Sequence, residues 1–426
     1  MASTTIKSPI KFTGYQKLVI TLLALTQFTV VLDFMVMSPL GDMLMKSMSL
    51  KPAQFGFAVS AYAFSAGISG LLTAGFADRF DRKKLLLFFY VGFIAGTLLC
   101  GISHSYPMLI VARIVTGLFG GVIGSISLAI VADLFPLEQR GRVMGFMQMG
   151  FGASQVLGIP IGLFIANYWG WQSPFLMIVG LATVVSLLIM MKMQPINKHI
   201  ALQTTHNAFT HLWRTIAKRD YRIGFLATAM LSLGGFMMMP WGSAFAINNL
   251  HVTTHQLPLL FMVAGISSLI VMPLIGKLSD QVDKFKIFAV ASIWMVVMVI
   301  IYTNLSVIPF WFVLVMNILF MIGIMSRMVP AMALTSSLPK MADRGAYMSV
   351  SSSLQQMAGG LAAAVGGMIV VQKTEFSPLE HYNTLGYVIT GLTLISIYML
   401  YRVSRMIKRN AKEVKKENVV IEPVTA

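Results

Sequence analysis

An ionised carboxylate in hydrocarbon costs roughly 2.5–3.5 kcal/mol on the insertion scale, yet the apolar run TQFTVVLDFMVMSP carries Asp33 near its middle. A second apolar run, LIVARIVTGLFGG (109–121), carries Arg113. Two such groups can do one of two things. They can pair as a fixed structural element, or the carboxylate can take up and release a proton as its surroundings change. Helix periodicity sets Thr26, Thr29, Asp33 and Met37 on one stripe. A stripe with two hydroxyls and an acid belongs against water or protein, not lipid.

The elements that must position these residues follow from composition. Of 426 residues, 57% are hydrophobic and 11% charged, where a soluble domain carries about 25% charged residues. The chain is therefore expected to be an all-α integral membrane protein. Its single cysteine, Cys100, excludes a disulfide framework. Apolar runs of about 20 residues predict twelve helices, at 16–40, 53–77, 84–103, 107–132, 142–166, 172–192, 222–248, 257–278, 285–304, 309–335, 345–371 and 384–404. The first run is too long for a cleavable signal peptide and no small-residue cleavage site follows it.

Orientation comes from Lys and Arg. With both termini cytoplasmic, the inside segments hold 27 of the 32 basic residues. Outside loops hold Lys46, Lys51 and Lys373, while Arg113 and Arg327 lie within helices. The net charge of +17 is thus a topology signal toward a lipid bilayer, and no nucleic-acid partner is expected. In this frame Asp33 and Arg113 each stand about 10 Å below the outer boundary at 1.5 Å rise per residue, so they can meet. Arg327, about 27 Å from the outer edge by the same rise, is expected near the cytoplasmic end, as a snorkelling residue or an inner-gate contact.

Residues 1–193 form a first group of six helices and 221–405 a second, joined by a cytoplasmic linker at 194–220 and followed by a charged tail, 406–426. Within the linker Phe209, Leu212, Trp213 and Ile216 fall at amphipathic spacing, predicting a short surface helix. The two groups echo each other. AGFADRFDRKK (74–84) aligns without a gap on GKLSDQVDKFK (276–286), pairing Asp78 with Asp280 and Asp81 with Asp283. FPLEQRGRVMG (135–145) matches LPKMADRGAYMS (338–349). An internal repeat of six helices around a central cavity is a transporter design.

With these motifs the sequence resembles the major facilitator superfamily, and within it the twelve-helix drug:proton antiporter branch. The stretch 74–84 is similar to that family's motif A, with Asp78, Arg79, Arg82, Lys83 and Lys84 matching, and with Ala74 and Asp81 where the motif has glycines. The run around Arg113 looks like motif B. GASQVLGIPIG (152–162) resembles a looser form of the antiporter signature of helix 5. The resemblance implies that Arg113 couples protons beside an acid on helix 1, and Asp33 occupies that place. It also implies that Asp78, Arg79, Arg82, Asp280 and Asp283 form a cytoplasmic gate; the plainer reading is positive-inside charge alone.

Asp33 is the one carboxylate deep within a predicted helix, and its place in the second group falls near Gly234–Gly235. Alternating access would change both its water exposure and its distance from Arg113, and so its affinity for H⁺. Candidate cavity residues are Thr26, Thr29 and Met37 on helix 1, Tyr62, Ser65 and Ser69 on helix 2, Gln148 and Gln155 on helix 5, and Trp241 and Asn248 on helix 7. Interhelical hydrogen bonding and interfacial anchoring are the competing readings. The glycines at 117, 120, 121 and 124 serve close helix approach. His251 and His255 stand one helical turn apart but are too few for a zinc site, and no metal or cofactor other than the coupling H⁺ is expected. No hydrolase or nucleotide motif appears, so the chain is not read as an enzyme.

The expected function is proton-coupled export of small organic or drug-like compounds across a bacterial inner membrane, by a monomer. Proton-linked import of a nutrient such as a sugar is the alternative. A receptor or scaffold would need a larger soluble domain than the short tail. The mostly apolar stripes with one acid hint at lipophilic or cationic substrates, although metabolites and sugars also fit.

Overall fold

The computed structural model describes residues 12–73, 79–197, 200, 208–340 and 343–421, all helical apart from connections and one isolated β-bridge, Val371 to Glu380. Helix α1 (Gly14–Val36) is the first predicted span, and a short α2 (Gly41–Ser47) follows beyond its predicted end. They are followed by α3 (Pro52–Thr73), α4 (Arg82–Gly101) and α5 (Tyr106–Leu134). The fifth span is α6 (Leu137–Ala153) and α7 (Ile159–Trp169), and the sixth is α8 (Ser173–Lys192). A short α9 (Ala208–Ala217) leads to α10 (Arg219–Phe236) and α11 (Gly242–Asn248), which share the seventh span. Then come α12 (Leu257–Gln281), α13 (Lys284–Thr303), α14 (Phe310–Ser337), α15 (Arg344–Ile369) and α16 (Tyr382–Ile421).

Among the described residues eleven helices are long and apolar enough to cross a membrane, and the chain is a multi-pass membrane protein. Helix α15 is long enough at 26 residues but is rich in Ser, Gly and Gln. Its small residues pack it antiparallel against α3. A Cβ added at Gly67 of α3 would stand 2.8 Å from the Ser353 carbonyl, and one at Gly56 would stand 2.6 Å from that of Ala363.

Two predicted helices are interrupted, each where proline removes an amide donor or its ring displaces the preceding turn. The first run ends in turns at 37–40 around Pro39, and the seventh is broken at a 3₁₀ turn, Met239–Trp241, containing Pro240. The fifth carries a π turn at Ser154–Gly158, just ahead of Pro160. That bulge, a feature often found at functional sites, lies against α12. A Cβ at Gly265 would come within 3.0 Å of the Gln155 backbone.

One expectation changes. Helix α16 runs on to Ile421, where a charged tail was expected, because the Ala, Lys and Glu of this stretch are good helix formers. Helix α14 continues ten residues beyond Arg327, close to the eight that the predicted span 309–335 leaves. Helix α9 forms where the amphipathic spacing predicts one. Leu212 and Ile216 pack on the second group's core, and Trp213 is left 74% exposed.

Both described ends of the chain lie at one end of the bundle, here the terminal end. The Tyr15 hydroxyl accepts from the Gln194 amide at 3.0 Å. Lys408 Nζ meets Asp283 Oδ2 at 2.6 Å. The opposite end carries α2 and α11 and is the far end.

Candidate functional site

Four helices converge on Asp33. From α5, Arg113 Nη1 donates to Asp33 Oδ2 at 3.0 Å, and both side chains are fully buried. From α4, Thr97 Oγ1 donates to Asp33 Oδ1 at 3.1 Å. From α3, the Tyr62 ring lies 4.5 Å from the Arg113 guanidinium carbon, in cation–π contact. Phe34 closes the other side, 5.3 Å from the Tyr62 ring centre. This approach depends on Gly117, where a Cβ would fall 2.0 Å from Ser65 Oγ and 2.4 Å from the Tyr62 carbonyl.

The pair is held by a single hydrogen bond, although a guanidinium can present a two-toothed fork to a carboxylate. Arg113 Nε and Nη2 are buried and meet no acceptor among the described residues. A buried ion pair joined at one point is costly to keep and costly to part while both groups stay charged, unless water enters or the carboxylate takes up a proton. That suits a group whose protonation changes as helices move.

Thr97 was not among the sequence candidates. Its signal was there, as Tyr90 and Thr97 stand seven residues apart on one face of α4. Tyr90 serves the same region, its hydroxyl 2.8 Å from that of Thr29.

The expected cavity residues separate into groups. Thr26, Thr29 and Met37 do share a stripe with Asp33, but all are buried in the first group's interior. Thr26 donates to the Leu22 carbonyl at 2.8 Å and Thr29 to that of Thr26 at 2.9 Å. Ser65 donates within α3 to the Tyr62 carbonyl, and Ser69 ties α3 to α5 by donating to the Leu118 carbonyl. Gln148 is exposed on α6, while Gln155 in the π turn donates to Met35 Sδ at 3.6 Å. Two cavities, of about 320 and 540 Å³, lie elsewhere. The smaller is lined by Met43, His104 and Trp171, and the larger by Lys84, Phe88 and Phe119.

Trp241 and Asn248 belong to the far end, where they join the two groups. Trp241 is fully buried and packs edge-on to Phe55 at 5.6 Å. Asn248 donates to Asp42 Oδ1 at 2.5 Å and accepts from Lys46 at 3.1 Å. Ser243 donates to the Ser38 carbonyl at 2.8 Å, and Ser49 to Glu375 at 2.6 Å. These bonds tie α2 and its neighbours to the second group.

Among the described residues, Arg82 and Asp283 make bonds within their own groups. Arg82 Nε donates to Asp133 Oδ2 at 3.1 Å, bracing α4 on α5. Asp283 caps α13 by accepting from the amides of Phe285 and Lys286. Lys408, bonded to its other oxygen, holds the Asp283 carboxyl below the usual carboxylate range. Arg79 and Asp280 are exposed, and Asp78 lies outside the described residues.

Comparisons agree with this architecture. The family profile described as Major Facilitator Superfamily matches residues 23–364 and 224–425. An uncharacterized MFS-type transporter YceJ of Bacillus subtilis (strain 168) is 25% identical over 61% of this chain and 66% of its own length, just under two thirds. A probable sugar efflux transporter of Helicobacter pylori (strain G27) is 25% identical over 69% of this chain and 73% of its own. The crystal structure of a bacterial homolog to the human lysosomal transporter Spinster, inward-facing and unoccupied, superposes with a TM-score of 0.76 at 15% identity. That superposition covers 94% of this chain and 99% of the other.

Proposed function

The chain belongs to the major facilitator superfamily, and from that premise we propose that it is a proton-coupled exporter of small organic compounds, of the drug:proton antiporter branch. The observation that carries the reading is the sealed Asp33–Arg113 pair, joined by one hydrogen bond and flanked by Thr97 of α4 and Tyr62 of α3. Moving α1 against α5 would change both the water around Asp33 and its distance from Arg113. Proton binding would then differ between the two faces of the membrane. A substrate that binds while Asp33 is ionised would leave as protons enter.

In this reading α15 also crosses the membrane, as the eleventh of twelve spans, and the two groups of six are an internal repeat. Asp81 and Asp283 both cap the helix after the corresponding loop, in support of that repeat. The far end faces outward from a bacterial inner membrane and both termini face the cytoplasm. The far-end bonds then form an outer gate, closed here, and the motif A-like charges await the opposite state. The chain works as a monomer.

Growth of an efflux-deficient bacterial host across a compound panel tests the reading, with wild type and Asp33→Asn at equal membrane levels. Protection by wild type that vanishes in the variant is the expected result. Protection that persists in the variant removes Asp33 from coupling. Accumulation in place of protection would favour proton-linked uptake.

A further inference from the structure

Arg327 has a different setting from Arg113. It is 6% exposed, and its Nε and Nη2 are sealed from solvent and meet no acceptor among the described residues. Its guanidinium carbon stands 5.7 Å from the Phe288 ring centre. Ala331 and Leu334, one and two turns along the same face of α14, are 0% and 6% exposed. The acids between residues 219 and 409 are Asp220, Asp280, Asp283, Asp343, Glu375 and Glu380, all at helix ends or in connections. Asp283, Asp343 and Glu380 are bonded to Lys408, Lys218 and Lys373. No helix interior of the second group therefore carries an acid.

A buried charge without a partner costs several kcal/mol. Water can satisfy its hydrogen bonds but leaves the charge, which only an anion removes. An ionisable residue inside a membrane bundle is a functional site by default, and its partner must be named. We propose that Arg327 recognises the carboxylate of an organic substrate, its paired N–H donors meeting the two oxygens. The Phe288 ring steadies the guanidinium plane, and Ala331 and Leu334 continue the packed core beside it. Arg327 lies about 15 Å from the terminal end of α14 by helix rise, the end that faces the cytoplasm in the transport reading. This inference rests on the transport reading and gives its substrate class, organic carboxylates, in place of the lipophilic cations that the lone acid suggests.

The test is binding to the full chain in phosphatidylcholine nanodiscs, with benzoate as probe and benzamide and benzylamine as matched controls. Benzoate is expected to raise the melting temperature of wild type while the controls do not. Arg327→Gln and Arg327→Met should weaken benzoate binding by about tenfold or more, and Arg327→Lys should keep part of it. Asp33→Asn, which disables coupling, should keep all of it, so loss of transport and loss of the anion site are read separately. Equal shifts with benzoate and benzamide overturn the proposal. So does undiminished benzoate binding by Arg327→Gln, or absence of any benzoate shift in wild type. Arg327-dependent stabilisation by phosphatidylglycerol nanodiscs without a benzoate shift would also overturn it, assigning the site to a lipid headgroup.

Discussion

Helices α5 and α14 each bury one arginine, and the two are treated in opposite ways. Arg113 meets an acid from α1, an aromatic face from α3 and, through Asp33, a hydroxyl from α4. Arg327 meets the Phe288 ring and no carboxylate among the described residues. An apolar bundle keeps a cation when other helices supply the opposite charge. Where they do not, the charge is retained for something that arrives from outside. The first group thus carries its counter-ion within the chain, and the second is poised to receive one.

Replacing each arginine by methionine is the strongest way to break this comparison. Arg113→Met leaves Asp33 buried and unpaired, and should cost about 3–5 kcal/mol, read as a lowered melting temperature of ligand-free protein. Arg327→Met removes an uncompensated charge and should be neutral or stabilising. Equal losses at the two sites would end the contrast. Adding Asp33→Asn to Arg113→Met should restore part of the loss, since coupled neighbours are not additive. A double variant no more stable than the single would mean that the pair does not hold the bundle in this way.

A smaller effect sharpens the picture of how Asp33 is held. Thr97→Val removes one hydrogen bond to a charged group and should cost about 1.5–3 kcal/mol. If its melting temperature matches wild type, the hydroxyl does not support the carboxylate.

The smallest effect is at the surface. Lys408→Ala should cost about 1 kcal/mol or less, because the Lys408–Asp283 pair is exposed. Lys408 depresses the Asp283 carboxyl, so its contribution is present above the ordinary carboxylate pKa. It fades as pH falls through the depressed value. Melting curves of variant and wild type should therefore differ at neutral pH and converge in acid.

The sequence by itself determined the all-helical membrane class and most span positions, because hydrocarbon requires about 20 apolar residues in a helix that satisfies its own backbone. It also isolated Asp33 and Arg113 as charges at matched depth, since a charge in an apolar run stands out whatever the packing. Only the tertiary structure decided who meets whom. Thr97 joins Asp33 from α4, Thr29 turns to Tyr90, Trp241 and Asn248 bind the far end, and Arg327 is left with a phenylalanine. Helix periodicity gives a residue's face but not the rotation of that helix against its neighbours. That rotation is fixed by close contacts such as Gly117 against Ser65, between residues far apart in the chain.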